Sequence, residues 1–370
     1  VRIEGIGQCS AMGLDDARIR RAFALLDEGI AAGVIPGAVA SIGRNGQFVS
    51  YTAGEAVTGA AGPIPVRPDT LYDCASLTKI VVTLPLILML LEEGRIRLDD
   101  PVIRFLPQFS QAGKSDVTIR HLLTHTSGLI PFTDMHSHGW DLDAIIDFVL
   151  SQPLENPPGK QVAYSDMGYI VLGHIASLLY EGPLSRIAAD RLLIPLGMTD
   201  TQFCPPAALR WRIAATEWYP YEKGPRWGDV HDENAYAMGG VSGHAGLFAT
   251  ASDLSRYATM WLGGGVIEGR RILSPAAIGL AVRNHTVAAC GGSRGLGWAL
   301  KGDNFDASGD LLSAASYGHT GFTGTSIYVD PDNRITIVLL TNRVHFGRDR
   351  DIYRIRDVFH NAVAASIIDR

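Results

Sequence analysis

Lysine is scarce in this chain: there are five in 370 residues, and no two are close in sequence. Basic residues total 32 against 38 acidic ones, for a formal charge of −6, which excludes the concentrated positive field that nucleic acid or an anionic membrane surface requires. Cysteine is equally sparse. Cys9, Cys74, Cys204 and Cys290 stand far apart with no Cys-x-x-Cys pair, so reduced thiols are expected rather than a disulfide framework or a zinc ribbon. Cys74 reads as a small buried apolar residue. Long apolar runs are missing too: the longest, Ile80 to Leu91, is too short to span a bilayer and contains Pro85. No signal peptide opens the chain and no internal repeat runs through it, so a soluble, cytoplasmic protein is expected, not a membrane protein or a solenoid. Residues 1–11, ahead of Met12, read as an added or trimmed leader.

What remains is 46% hydrophobic and 19% charged, enough for a large core in one big domain or two interleaved ones. One of the few lysines, Lys79, follows Ser76 by three residues at the head of the run Ile80 to Leu91. That spacing is one helical turn and puts hydroxyl and amine on the same side. An amine whose proton affinity is lowered by burial can take the serine proton, and a helix N-terminus under Ser76 favours the oxyanion that follows. The structural alternative is an amphipathic helix whose Lys79 snorkels to water.

The pattern of elements is α/β. Asp15 to Ala32 has helical periodicity and ends at Gly33. Gly37 to Ile42 and Gln47 to Thr52 flank Asn45-Gly46, a hairpin signal. Asp99 to Ala249 is rich in helix patterns. Gly295 to Leu300, Gly324 to Val329 and Ile335 to Thr341 alternate as strands, and Asp351 to Ile368 closes as a helix. The expected architecture is an antiparallel sheet built from both chain ends and flanked by helices, with a mostly helical subdomain inserted. The expected boundaries are 1–98 and 256–370 for the two parts of the α/β domain and 99–255 for the insertion. A cleft between them is the natural site.

Two further segments carry chemistry. Tyr164-Ser165-Asp166 precedes an apolar run, and a phenol near a lysine can exchange protons with a serine or a leaving group; a tyrosine that only caps a helix is the structural alternative. Tyr317-Gly318-His319-Thr320-Gly321-Phe322 offers small and hydroxyl residues whose backbone can approach a substrate and donate N–H groups. Histidines offer another reading: His121 and His125 are spaced i, i+4, His136 and His138 form His-x-His, and His231 adjoins two acids. Those spacings suit a zinc hydrolase, although no His-Glu-x-x-His occurs.

Ser76-Leu77-Thr78-Lys79, Tyr164-Ser165-Asp166 and His319-Thr320-Gly321 come in the order of the Ser-x-x-Lys, Tyr-x-Asn and Lys-Thr-Gly motifs. With them the chain resembles the serine β-lactamase and penicillin-binding-protein superfamily, especially its class C-like branch with family VIII esterases and related peptidases and amidases. His121–Leu129, Gly243–Phe248 and Gly295–Trp298 resemble that branch too. The resemblance implies that Ser76 is acylated, that Lys79 and Tyr164 share general-base and general-acid work, and that the N–H groups of Ser76 and Phe322 form the oxyanion hole. Asp166, His319, Thr320 and Gly321 would bind substrate, and no metal or organic cofactor is implied.

Two departures bear on substrate. Asp166 replaces Asn, exchanging a donor for a carboxylate, and His319 replaces Lys, exchanging a permanent cation for a mostly neutral ring. Both reduce attraction for a substrate carboxylate, so an esterase acting on a small uncharged ester or amide is expected. A weak β-lactamase, or an amidase or peptidase acting on muramyl peptides, is the alternative, the latter suggested by His231–Ala235 and Met238–Gly246. A non-catalytic module that retains the fold would leave Ser76 unlabelled by acylating reagents.

Overall fold

Asn45 and Gly46 stand at φ 53° and 75°, the left-handed pair that a two-residue hairpin needs, and they fold strand β2 (Gly37–Arg44) back on β3 (Gln47–Val57) with Arg44 opposite Gln47. The computed structural model in which this is seen describes residues 1–59 and 62–368. Arg2–Glu4 adds an outer strand, β1, to β3, and Ile64–Pro65 (β4) pairs with the far end of β3. Residues 1–11 belong to the fold rather than standing apart as an added segment: Arg2–Glu4 pairs in the sheet and Cys9 lies in the core.

From the other chain end come β5 (Ala299–Leu300), β6 (Tyr317–Thr320), β7 (Ser326–Asp330) and β8 (Ile335–Thr341). The antiparallel sheet runs β1-β3-β2-β8-β7-β6-β5. The register of β8 on β2, with Thr341 opposite Ala38 and Ile335 opposite Arg44, joins the two ends of the chain at the middle of the sheet. Both strands are buried along their whole length, as strands covered on both faces must be. Of Gly295 to Leu300 only the last two residues pair as strand; the preceding turn instead buries Trp298 against Trp261 and Tyr317.

Helices Asp16–Ala31 and Tyr353–Ala364 cover one face, where Phe23, Leu26 and Phe359 pack on Tyr51, Ile337 and Leu339. Asp15 caps the first of them by accepting the Arg18 N–H at 2.8 Å. The other face carries helix Ala251–Leu262 and the helix-rich middle of the chain, and the largest core cluster runs through both. Helix Ala251–Leu262, which packs on the sheet, spans residue 255.

Two helices widen into a π turn. Lys79–Thr83 and Ala189–Leu193 are π-helical, and each is followed two residues later by a proline, Pro85 and Pro195. A proline ring collides with the carbonyl four residues back in an α-helix, and the wider turn removes the collision: Leu84 N–H bonds to Lys79 O, five residues back. The Tyr257 hydroxyl takes the Ile80 carbonyl.

Candidate active site

The chain leaves the short strand Tyr72–Asp73 and turns sharply into the helix that carries Lys79. Ala75, at the turn, has φ 45°, a conformation that costs about 1 kcal/mol or more for a residue with a Cβ. Asp73 compensates. One oxygen of its buried carboxylate accepts the Ala75 N–H at 2.8 Å and the other the His231 N–H at 2.6 Å. Burial pushes this carboxyl up, against those hydrogen bonds. The turn leaves Ser76 partly exposed just ahead of residues 77–90, all of which are buried.

Lys79 is fully buried, and three acceptors surround its Nζ: Ser76 Oγ at 2.8 Å, Asp166 Oδ1 at 2.7 Å and the His244 carbonyl at 3.2 Å. Three acceptors match the three protons of an ammonium. Burial by itself pulls the amine down, as expected from sequence, but the Asp166 carboxylate and the Tyr164 phenol outweigh it and leave Lys79 above its ordinary value. The resting lysine is charged, which corrects the expectation of an amine made basic by burial alone.

Tyr164 lies beside this group, with Lys79 Nζ 4.9 Å from its ring centroid. His125 holds it there. The His125 carbonyl accepts the Ala163 N–H at 2.8 Å, its Nδ1 accepts the Ser165 N–H at 3.0 Å, and its ring stacks on Tyr164 at 4.3 Å. Burial, then Arg294 and Lys79, push the His125 imidazole far down, so it is neutral. Sequence reasoning placed His125 in a metal-type pair with His121. The structure separates their roles: His121 Nδ1 accepts the Thr118 N–H in a capping box. His136 pairs with Asp134, His138 stacks on Trp140, and His231 bonds Glu217 at 2.9 Å. The His125 support was legible only as the helix-to-loop text around it.

His319 and Thr320 end β6, and Gly321 and Phe322 begin the loop back to β7. That loop is tied to the residues before Ser76: Thr323 Oγ1 donates to Asp73 O at 2.7 Å and Thr325 Oγ1 to Cys74 O at 3.1 Å. A Cβ on Gly321 would lie 2.1 Å from Thr325 Oγ1 and 2.4 Å from Cys74 O, so only glycine fits. The tie sets this loop against the residues before Ser76, Phe322 and Ser76 line the same cavity, and among the described residues neither backbone N–H donates to a protein acceptor. His319 Nδ1–H donates to Thr320 O at 2.8 Å; burial, then Arg294 and Lys79, keep the ring neutral.

Ser76, Tyr164, His319, Thr320, Gly321 and Phe322 line one cavity of about 370 Å³. Five arginines line it as well, Arg294, Arg343, Arg348, Arg350 and Arg356, against the carboxylates of Asp349 and Asp351. Arg294 pairs with Asp303 at 3.2 Å, both fully buried. Arg356 is buried with its Nη2 on the carbonyls of Gly321 and Thr325, and among the described residues it forms no ion pair with a carboxylate; burial pushes it down to about 10. Counting only the replacement of Lys by His319 missed these guanidiniums. Their signal was the arginine density of residues 343–356.

The arrangement places a serine hydroxyl 2.8 Å from a lysine amine, a phenol beside that amine and, among the described residues, two backbone N–H groups without a protein acceptor at a cavity lined by five arginines. Among known proteins, the Beta-lactamase family model matches residues 22–360. The chain is 33% identical over 313 residues to a "putative D-alanyl-D-alanine carboxypeptidase" of Escherichia coli K12, spanning 76% of this chain and 71% of that one. A Salmonella enteritidis protein of the same description is 32% identical over 315 residues, 77% of this chain and 72% of that one. A penicillin-binding-protein homologue from Caulobacter crescentus superposes with a TM-score of 0.78 at 23% identity, covering 99% of this chain and 100% of the other. EstCE1, described as a hydrolase with promiscuous acyltransferase activity, superposes at 0.76 and 23% identity over 94% and 99%. A class C β-lactamase from Rhodobacter sphaeroides does so at 0.72 and 20% over 94% and 99%. The matched span holds the serine, lysine and tyrosine described above, and the chain belongs to the Beta-lactamase family of serine hydrolases.

Proposed function

We propose that the protein hydrolyses a small ester or amide through an acyl group carried on Ser76, with esters of uncharged acids as its preferred substrates. The 2.8 Å contact between Ser76 Oγ and Lys79 Nζ carries this reading. In the proposed acylation, Ser76 Oγ bonds to the substrate carbonyl carbon while its proton passes into the Lys79 and Tyr164 pair. Because Lys79 rests charged, it takes the serine proton only as it passes one to Tyr164 and the Tyr164 hydroxyl proton moves on to the leaving-group atom, so the relay runs from Ser76 through Lys79 and Tyr164 and ends on the leaving group. The N–H groups of Ser76 and Phe322 receive the oxyanion, the leaving group departs with a proton from the pair, and water then releases the acid by the same steps reversed.

The neutral His319 and the carboxylate of Asp166 favour an uncharged substrate, since neither attracts an anion. A second reading rests on the arginines: Arg356, buried with no carboxylate partner among the described residues, suits a substrate that brings its own, and relatives are described as "putative D-alanyl-D-alanine carboxypeptidase". A cytoplasmic location is the favoured compartment, supported by four free cysteines. Parallel assays on a short-chain nitrophenyl ester, a chromogenic cephalosporin and a muramyl peptide ending in D-alanine, each with Ser76→Ala, separate the readings. Fastest turnover of the ester supports the first; a rate on the peptide that collapses in Arg356→Met supports the second.

A further inference from the structure

Behind Lys79 lies a chain of buried polar groups that the proposed chemistry leaves unused. His244, whose carbonyl accepts from Lys79 Nζ, places its side chain between Ser242 and Asp232: Nδ1 is 2.8 Å from Ser242 Oγ and Nε2 is 3.0 Å from Asp232 Oδ1. Ser242 and His244 are both buried. Ser242 Oγ bonds Nδ1 and Nε2–H donates to the Asp232 carboxylate, so both ring nitrogens are engaged. Asp232 then keeps its negative charge. Its Oδ1 also accepts the Ala235 N–H at 2.7 Å, capping helix Glu233–Ala237. Asp166, Asp232 and His244 offer atoms that all lie within 4.8 Å of one another. Lys79 thus lies by two carboxylates, Asp166 in contact at 2.7 Å and Asp232 next to Asp166.

We propose that Asp232, clamped by His244 and Ser242, is a positioning residue for the Ser76 chemistry: its charge fixes how tightly Lys79 holds its third proton. The attraction is mutual. Burial opposes charge on Asp232, and His244, the Ala235 N–H and the Lys79 ammonium overcome it, holding the carboxyl well below its ordinary value. Other groups facing the ammonium are Ser76 on its own helix, Tyr164, Asp166 and Tyr169 from residues 164–180, and the neutral His125 and His319. Asp166 stands where the related motif has Asn, so the double-carboxylate cradle is a property of this chain.

The inference takes Lys79 as the proton partner of Ser76, as proposed above, yet it can be read without substrate. With five lysines in the chain, labelling the lysine Cε with ¹³C gives a spectrum in which Lys79 is assigned by its loss in Lys79→Met. In Asp232→Asn, which keeps a side chain able to cap the helix, the Lys79 midpoint should fall by about one pH unit, roughly tenfold. The rising limb of kcat/KM against pH should move the same way, because removing a nearby negative charge eases proton loss from ammonium and phenol alike. An unmoved Lys79 midpoint in a folded Asp232→Asn protein overturns the assignment, as does a lower melting temperature with no change in midpoint. If that variant does not fold, His244→Gln carries the test, with a smaller shift in the same direction required. Failure of every substrate assay would remove the acyl-enzyme reading and leave the lysine titration to decide Asp232 alone.

Discussion

Ser76 and Tyr164 differ in what their removal should cost. Ser76→Ala deletes a partly exposed hydroxyl and should abolish ester turnover and covalent labelling by an acylating reagent while leaving the melting temperature unchanged; mass spectrometry of the labelled protein checks this. Residual turnover at the wild-type rate would exclude Ser76 as the nucleophile. Tyr164→Phe keeps the stack on His125 and should reduce turnover by at least ~100-fold if the phenol moves protons. At this scale the contact between Ser76 and Lys79 was readable as letters, because a three-residue spacing on a helix leaves little freedom. The charge state of Lys79 was not, since it depends on Asp166, which lies 87 positions along the chain.

The element that joins the parts is the loop from Gly321 to Thr325, bonded through Thr323 and Thr325 to Asp73 and Cys74. Gly321→Ala would drive a Cβ into Cys74 O and Thr325 Oγ1. Forcing an atom into packed structure costs about 1–3 kcal/mol, and the loop must also withdraw the Phe322 N–H from Ser76. The expected outcome is a measurable fall in urea midpoint together with loss of turnover of at least ~10-fold; full activity would show that the Phe322 N–H is not used. Strands were legible at this scale where a turn signal accompanied alternation, as at Asn45-Gly46. The segment Gly295 to Leu300 failed because alternation there reflects a buried turn, whose Trp298 packs among aromatic rings rather than in a ladder.

Across the whole molecule, three buried imidazoles are held neutral. His125 and His319 lie at the site, and His360, on the buried face of the C-terminal helix, is pushed down to about 4 by burial. Each has a folded value below that of the unfolded chain, so its contribution to stability is complete above pH ~6.5 and is lost as pH falls toward the folded value. For His360 that amounts to about 3 kcal/mol between pH 6.5 and 4. Urea unfolding should therefore give a plateau above neutrality and a steep decline below it. His360→Asn, which does not titrate, should flatten the decline by roughly 1.4 kcal/mol per pH unit; an unchanged slope would mean that His360 is already protonated in the folded state.

Periodicity and turn residues, both local properties, were enough to determine the α/β class and the sheet assembled from the two chain ends, while Ser76, Lys79 and Tyr164 were grouped by the order of motifs that the chain shares with the family it resembles. Burial and charge are set by neighbours that are distant along the chain, and these only the tertiary structure decided: it surrounded Lys79 with acceptors, gave Ala75 its left-handed turn through Asp73, set His125 behind Tyr164 and gathered arginines around the cavity. The energy of a charge depends on every group within several ångströms of it, and no linear spacing records that set.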